Sequence, residues 1–207
     1  MYRTGYFQFF GTEPVRYGLS LVAAPALEPV TLAEQKTFSR VDISTDDTLI
    51  SSLIQAAREY CEDFTGRRFY TQTWDLKLDY FFRNCGQMRM PNGPWQSITS
   101  ITYVDINGTT QTVSTSIYDI DTSDFEPRLF LKFGQYWPVE RQIQNAVTIR
   151  HVAGYGTAAS IPERLKLAIK LLAGYYYEQR SAGDAMKLSE APFGVNRILS
   201  QLKQSWI

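Results

Sequence analysis

The spacing of apolar residues changes twice along this chain, and no single class of secondary structure accommodates both spacings. Leu49, Ile50, Leu53, Ile54, Ala57, Tyr60, Cys61 and Phe64 recur at intervals of one, three and four, which draws one wide stripe along an α-helix. Between about Phe69 and Val152 the interval becomes two. Trp74, Leu76, Leu78 and Tyr80 alternate with Thr73, Asp75, Lys77 and Asp79, as in a strand with one buried face. Helical spacing then returns with Leu165, Ala168, Ile169, Leu172, Ala173 and Tyr176. These periods require a helical frame interrupted by a β-rich insertion.

Local signals set the boundaries. Thr31-Leu32-Ala33-Glu34 and Ser160-Ile161-Pro162-Glu163 both fit the capping box, in which a hydroxyl and a glutamate satisfy the first free N–H groups of a helix. The first box predicts a helix from Thr31 to about Arg40. A second helix begins near Thr45 or Asp46 as N-cap and stops at Gly66. The second box predicts a helix from Ile161 to Arg180, with Pro162 in its first turn and Gly183 beyond its end. Pro192-Phe193-Gly194-Val195 opens a last short helix, with Val195, Ile198, Leu199 and Leu202 on one side. Within the insertion, strands are expected at 74–80, 98–104, 110–113, 118–121, 128–133 and 146–152, and Asn107-Gly108 signals a two-residue hairpin. The expected fold is α+β, an α-helical bundle frame of about four helices interrupted by an antiparallel β-sheet or small β-sandwich. Residues 30–67 plus 159–207 form the helical domain and 68–158 the β-rich insertion. Residues 1–29 read as an extended N-terminal arm, with Tyr6, Phe7, Phe9 and Phe10 as its adhesive part, packed on its own domain or serving as the arm to a neighbouring subunit.

Charge and composition exclude several functions. Lysine and arginine total 21 and aspartate and glutamate total 21, so the formal charge is zero and nothing draws the chain to DNA or an anionic membrane. No apolar run approaches bilayer-spanning length, and the N-terminal aromatic cluster lacks the charged and continuous apolar regions of a signal peptide. Cys61 and Cys85 do not make a disulfide framework, and Cys61 lies on a buried helix face. His151 stands alone, without the second histidine or cysteine a metal or nucleophilic site needs. Asp75 and Asp79, and the cluster Asp119, Asp121 and Asp124, alternate with apolar residues as solvated strand or turn positions do. Asp42 to Asp47 lacks calcium-loop spacing, Gly154-Tyr155-Gly156 lacks the phosphate-loop lysine, and Arg67-Arg68 reads as a helix-end pair. The expectation is a protein that is not an enzyme and carries no cofactor or metal.

The order of segments carries a resemblance. Val30-Thr31-Leu32-Ala33-Glu34 is followed by Asp46-Asp47-Thr48-Leu49-Ile50, Ala56-Ala57-Arg58-Glu59-Tyr60 and Phe64-Thr65-Gly66-Arg67. Then come Thr71-Gln72-Thr73-Trp74, Ser97 to Tyr103 with its Asn-Gly hairpin, Ala146-Val147-Thr148-Ile149 and Ala153-Gly154-Tyr155-Gly156, and finally Tyr175 to Arg180 and Pro192 to Val195. In this order they resemble the head–tail connector (adaptor, head-completion) proteins of long-tailed bacteriophages, in the subgroup with a β-rich insertion. The resemblance covers about residues 29–202; the aromatic arm before it is a departure from the pattern.

The resemblance implies a structural virion protein. It would form a ring of about twelve subunits under the portal, connect the DNA-filled capsid to the stopper or tail, and line the DNA exit channel without sequence-specific binding. It would reside at the neck of the virion, and in the host cytoplasm before assembly. Balanced charge suits a channel through which DNA slides, because each phosphate contact adds grip. The segment from Leu188 to Ile207 is expected to face the portal, with Phe193, Val195, Ile198, Leu199 and Trp206 as anchors. The alternative is a tail or baseplate component whose β domain binds protein or glycan, with Trp74, Trp95 or Trp137 exposed.

Overall fold

The structure, a computed structural model, describes residues 2–7, 15–82, 87–123, 127–179 and 193–203. The chain divides into two units. Residues 1–24 and 71–154, with the terminal Ile207, make a sheet unit; residues 25–70 and 155–206 make a helical unit. The α+β expectation is met.

In the sheet unit, a six-stranded antiparallel sheet holds β1 (Tyr2–Phe7), β2 (Val15–Ala23), β3 (Gln72–Leu78), β9 (Val147–Ala153), β5 (Trp95–Val104) and β6 (Thr110–Thr112), in that spatial order. A second sheet aligns β4 (Gln87–Arg89), β8 (Arg128–Leu131) and β7 (Tyr118–Asp121). Register explains the core. Leu19, Leu76, Ile149 and Ile101 lie opposite one another across four strands, and all four are buried. Tyr17, Leu78, Val147 and Tyr103 form the next row two residues along. Residues that face each other across antiparallel strands share a face, so each row closes one layer of core. The β5 strand departs from strict alternation: Trp95, Ile98 and Ile101 point to the core at intervals of three. Register shifts between Trp95 and Ser97 and between Ile98 and Ser100 supply the reason, since each bulge inserts one residue into the period.

Two expectations about this unit are corrected. The N-terminal segment is not an extended arm from residue 1 to 29 but packs on its own sheet: β1 and β2 pair with each other, and β2 pairs with β3. Its alternation of Tyr17, Leu19 and Leu21 with Gly18, Ser20 and Val22 was the available signal. The Asn107-Gly108 turn is also longer than two residues. Thr110 lies opposite Val104, and the Asp105 carboxylate accepts the Asn107 and Thr109 N–H groups at 2.9 Å. An aspartate side chain satisfying backbone N–H groups two and four residues on favours this wider loop.

The helical unit contains α1 (Leu32–Ser39), α2 (Asp47–Thr65), α3 (Glu163–Glu178) and α4 (Phe193–Ser200). Ile50, Ile54, Ala57 and Cys61 of α2 share one core with Leu165, Ala168, Ile169 and Leu172 of α3 and with Phe69. The Thr31 capping box forms in full: Thr31 Oγ1 accepts the Glu34 N–H, and the Glu34 carboxylate accepts the Thr31 N–H at 2.7 Å. Gly66 terminates α2 with φ 71°, a left-handed conformation that glycine adopts without side-chain strain.

The other helix starts differ from expectation. Ser160 does not cap α3. Its hydroxyl lies 3.0 Å from that of Thr157 in a 3₁₀ turn at Ala158–Ser160, and Pro162 takes the N-cap position instead of the first turn. The Pro162 carbonyl accepts the Leu165 N–H. Asp46 occupies the N-cap of α2 but makes no cap bond, because its carboxylate accepts the Tyr177 hydroxyl at 2.6 Å. The α3 helix ends at Glu178, and Gly183 lies outside the described residues.

Candidate functional site

The residues that could carry chemistry are committed to structure. His151 is fully buried in β9, its ring stacked on Trp95 with centroids 3.6 Å apart. Asp75 accepts Arg150 Nε and Nη2, each at 2.8 Å, a fork geometry fixed by their opposed positions on β3 and β9. Asp79 accepts the Asn145 N–H at 2.8 Å, and Asp119 the N–H of Ile120. The Ser123 hydroxyl and amide, together with Arg128, hold the Asp121 carboxyl down to about 2. Asp124 lies outside the described residues. Asp47 pairs with Lys36 at 2.6 Å. Burial pushes the Cys61 thiol up to about 12, which removes its nucleophilic form at neutral pH. Among the described residues, no group of three or more His, Cys, Asp or Glu is placed to hold a metal.

A buried charged network in the helical unit went unread in the sequence. Arg58 and Glu62 lie on the core-facing side of α2 with Arg68 just beyond it, their side chains 5%, 3% and 2% exposed. Glu62 accepts Arg58 Nη1 at 3.0 Å and the Phe69 N–H at 2.8 Å, with Arg68 Nη1 at 3.6 Å. Arg58 also donates to Glu28 at 2.7 Å, and Arg68 lies 3.5 Å from Asp63. Burial pushes the Glu62 carboxyl up while Arg68, Arg58 and the Phe69 amide pull against it. Burial also works against the Arg58 charge, but Glu62 and Glu28 outweigh it and raise its pKa. Arg67, the other half of the expected helix-end pair, donates to the Leu202 carbonyl and the Tyr155 hydroxyl, each at 2.7 Å. Neither arginine is a loose helix-end charge. The spacing of four between Arg58 and Glu62 marks an ion pair on one helix face but not its burial.

Surfaces for assembly remain on each unit. Of the residues expected to meet the portal, Val195 and Leu199 are 1% and 0% exposed. They belong to the core of their own subunit, which corrects their assignment as contact anchors: they sit on the side of α4 that packs on α2 and α3. Ile198 is half-buried, and the outer side of the helix presents Arg197 and Ser200. Phe193 begins α4, but its side chain, like Trp206, lies outside the described residues. Lys203 lies over the Phe64 ring, 5.6 Å from its centroid. Tyr6 and Phe7 belong to β1, at the outer edge of the large sheet; their side chains, and Phe9 and Phe10 entirely, are outside the description. Of the three tryptophans of the glycan alternative, Trp74 and Trp95 are buried, and Trp137 is half-buried with one face stacked on Phe81 at 4.9 Å. The conspicuous exposed apolar residues of the sheet unit lie between β8 and β9: Phe133, Tyr136, Val139 and Ile143, with Ile106 on the β5–β6 turn. Beside them an open groove of about 570 Å³ is lined by Asp79, Tyr80, Phe81, Glu140, Gln142, Ile143 and Gln144.

Comparison with known proteins agrees with this arrangement. The sequence model of a family described as head completion protein matches residues 28–189. No curated protein matches the chain. Among solved structures, the chain is similar to one described as the neck of an empty gene transfer agent (GTA) particle computed with C6 symmetry. The identity is 25%, the TM-score 0.73, and the likeness covers 91% of this chain and 96% of that one. A chain from the neck of a native particle computed with C12 symmetry gives 24% identity and a TM-score of 0.71 over the same shares.

Proposed function

The chain belongs to the head completion protein family, and from that membership we propose that it closes into a ring under the portal and passes DNA through the ring's centre. Its role is structural, that of a head–tail connector in the virion. The observation that carries the finer reading is the likeness to neck proteins over 91% of the chain, including both units. Those neck structures were computed with sixfold and twelvefold symmetry, which supports an oligomeric ring of about twelve copies here. The formal charge of zero supports a channel that does not grip the phosphate backbone.

The C-terminal segment meets the portal, with the outer side of α4 and Ile198 as its described part, and Phe193 and Trp206 completing it. The helices form the wall of the ring. The strand β1, at the sheet edge, is the remaining form of the subunit–subunit arm, because an edge strand carries unpaired backbone groups. The subunit waits in the host cytoplasm and takes its place at the neck once the head is filled. The stopper or tail-completion protein binds the side away from the portal.

The test is removal of the protein from an assembling system. DNA-filled heads without tails are expected to accumulate, and the purified full-length chain restores joining. Normal tailed particles without the protein would contradict the reading.

A further inference from the structure

We propose that the Lys132–Tyr136 turn of one copy inserts into the groove bounded by Tyr80, Phe81 and Ile143 on the sheet unit of a second copy. The inference rests on the ring reading and names a contact that builds the ring.

The turn has the character of a preformed anchor. Phe133 is 105% exposed and Tyr136 84%, so two aromatic side chains stand in water with none of the described residues over them. Aromatic residues supply large, stiff contact surface and dominate interface energetics once buried. The turn is held rather than loose. The Lys132 N–H donates to the Ile117 carbonyl at 2.9 Å, the Gln135 N–H to the Lys132 carbonyl at 3.0 Å, and Gly134 takes φ 75°. A backbone fixed before contact loses less entropy on binding.

The groove is complementary in shape and charge. Its volume of about 570 Å³ accommodates an aromatic side chain, and Tyr80, Phe81 and Ile143 give it apolar walls. Asp79, which accepts the Asn145 N–H, and Glu140 add two carboxylates, and among the described lining residues there is no lysine or arginine. The turn brings a cation: Lys132 precedes Phe133 directly, and its exposed ammonium donates one bond to the Thr115 carbonyl of its own chain at 3.2 Å, which leaves its charge uncompensated by that neutral partner. Opposite charges at the edge of an apolar contact set register and discourage wrong partners. The groove's rim widens the apolar area, because the bridge between Asp105 and Glu140 brings exposed Ile106 and Val139 alongside it.

The topology of the contact also fits a ring. Turn and groove share no residue, so each copy can insert its turn into one neighbour while accepting a turn from the other. Such a heterologous contact propagates head to tail and closes when its rotation divides the circle. A two-fold dimer would instead exchange turn and groove reciprocally between the same two copies, whereas a ring engages the turn with one neighbour and the groove with the other.

The test places the photocrosslinker p-benzoyl-phenylalanine at position 133 of the full-length chain (Phe133→p-benzoyl-phenylalanine). Assembly with the cognate portal is scored by electron microscopy before irradiation, and the crosslinked site is mapped by mass spectrometry. Rings with a crosslink between copies, into 79–81 or 140–144, are expected. Rings whose crosslink lands elsewhere on the chain, or on the portal or a tail protein, would overturn the contact and leave the ring reading standing. Absence of rings for the unmodified chain as well would overturn both. A second variant, Phe133→Ser with Tyr136→Ser, is expected to raise the concentration for half-assembly at least tenfold with an unchanged thermal midpoint; unchanged assembly would also overturn the proposal.

Discussion

At the residue scale, the most consequential group is Glu62, which bonds Arg58 and the Phe69 amide and faces Arg68 in a buried site. Removing one member of a buried ionic group leaves the others without compensation, at a cost on the order of 3 kcal/mol. Glu62→Gln is therefore expected to lower the urea-unfolding free energy by about that amount, while Glu59→Gln, whose exposed carboxylate lies 3.5 Å from Arg58 Nη2, changes it by less than about 1 kcal/mol. Equal effects of the two substitutions would show that Glu28 and Asp63 hold the guanidiniums unaided. A second expectation concerns acid. Ser123 and Arg128 depress the folded-state pKa of Asp121 to about 2, below its usual value near 4. A depressed acid stabilises the fold above the unfolded value and loses that contribution as pH falls through the folded one. The urea midpoints of wild type and Asp121→Asn should thus differ at pH 5 and converge between about pH 4 and 2. A constant difference would contradict the assignment. Cys61 as a buried apolar residue could be read from its place in the stripe; Arg58 and Glu62 could not. Hydropathy ranks arginine and glutamate as surface residues, and only the partners supplied by Arg68, Glu28 and Phe69 make their burial tolerable.

At the element scale, legibility follows how local the determining interactions are. The α1 capping box, the α2 stripe with its Gly66 stop and the alternation in β3 depend on neighbours within a few residues, and each appears where the spacing places it. The Ser160 box fails although its motif is as good, because Thr157 offers the hydroxyl another partner and Pro162 begins the helix later. The β1–β2 hairpin was hidden because its pairing with β3 is set by residues some fifty positions away. The two boxes give a paired prediction. Thr31→Ala should cost about 1 kcal/mol, the usual value of an N-cap hydroxyl. Ser160→Ala should stay within about 0.5 kcal/mol, as for a surface change. Chemical denaturation of both variants checks the pair, and a larger loss for Ser160→Ala would mean that its hydroxyl caps α3 after all.

At the scale of the whole molecule, each unit is discontinuous in sequence. The chain passes between them near residues 24, 70 and 154. Folding of either unit therefore requires segments distant in sequence to meet, which joins the N-terminal hairpin to strands far along the chain. Deletion of residues 1–23 removes β1 and β2 and uncovers β3, so loss of soluble protein is expected on expression; a folded, soluble product would contradict that dependence. The segment order revealed the family, because ordered caps and turns survive as a pattern where each alone is ordinary. Assembly surfaces were less legible, since Val195 and Leu199 look the same in sequence whether they face a partner or their own core. The proposed ring requires this subunit to close on itself at the neck of a virion. The measurement that tests it most directly is the mass of the assembled species, alone and on the portal, by native mass spectrometry. A discrete multiple of the 23.7 kDa subunit, twelvefold as in the symmetry of the related neck, is the result predicted. A monomer that neither closes nor binds the portal at any concentration would contradict it.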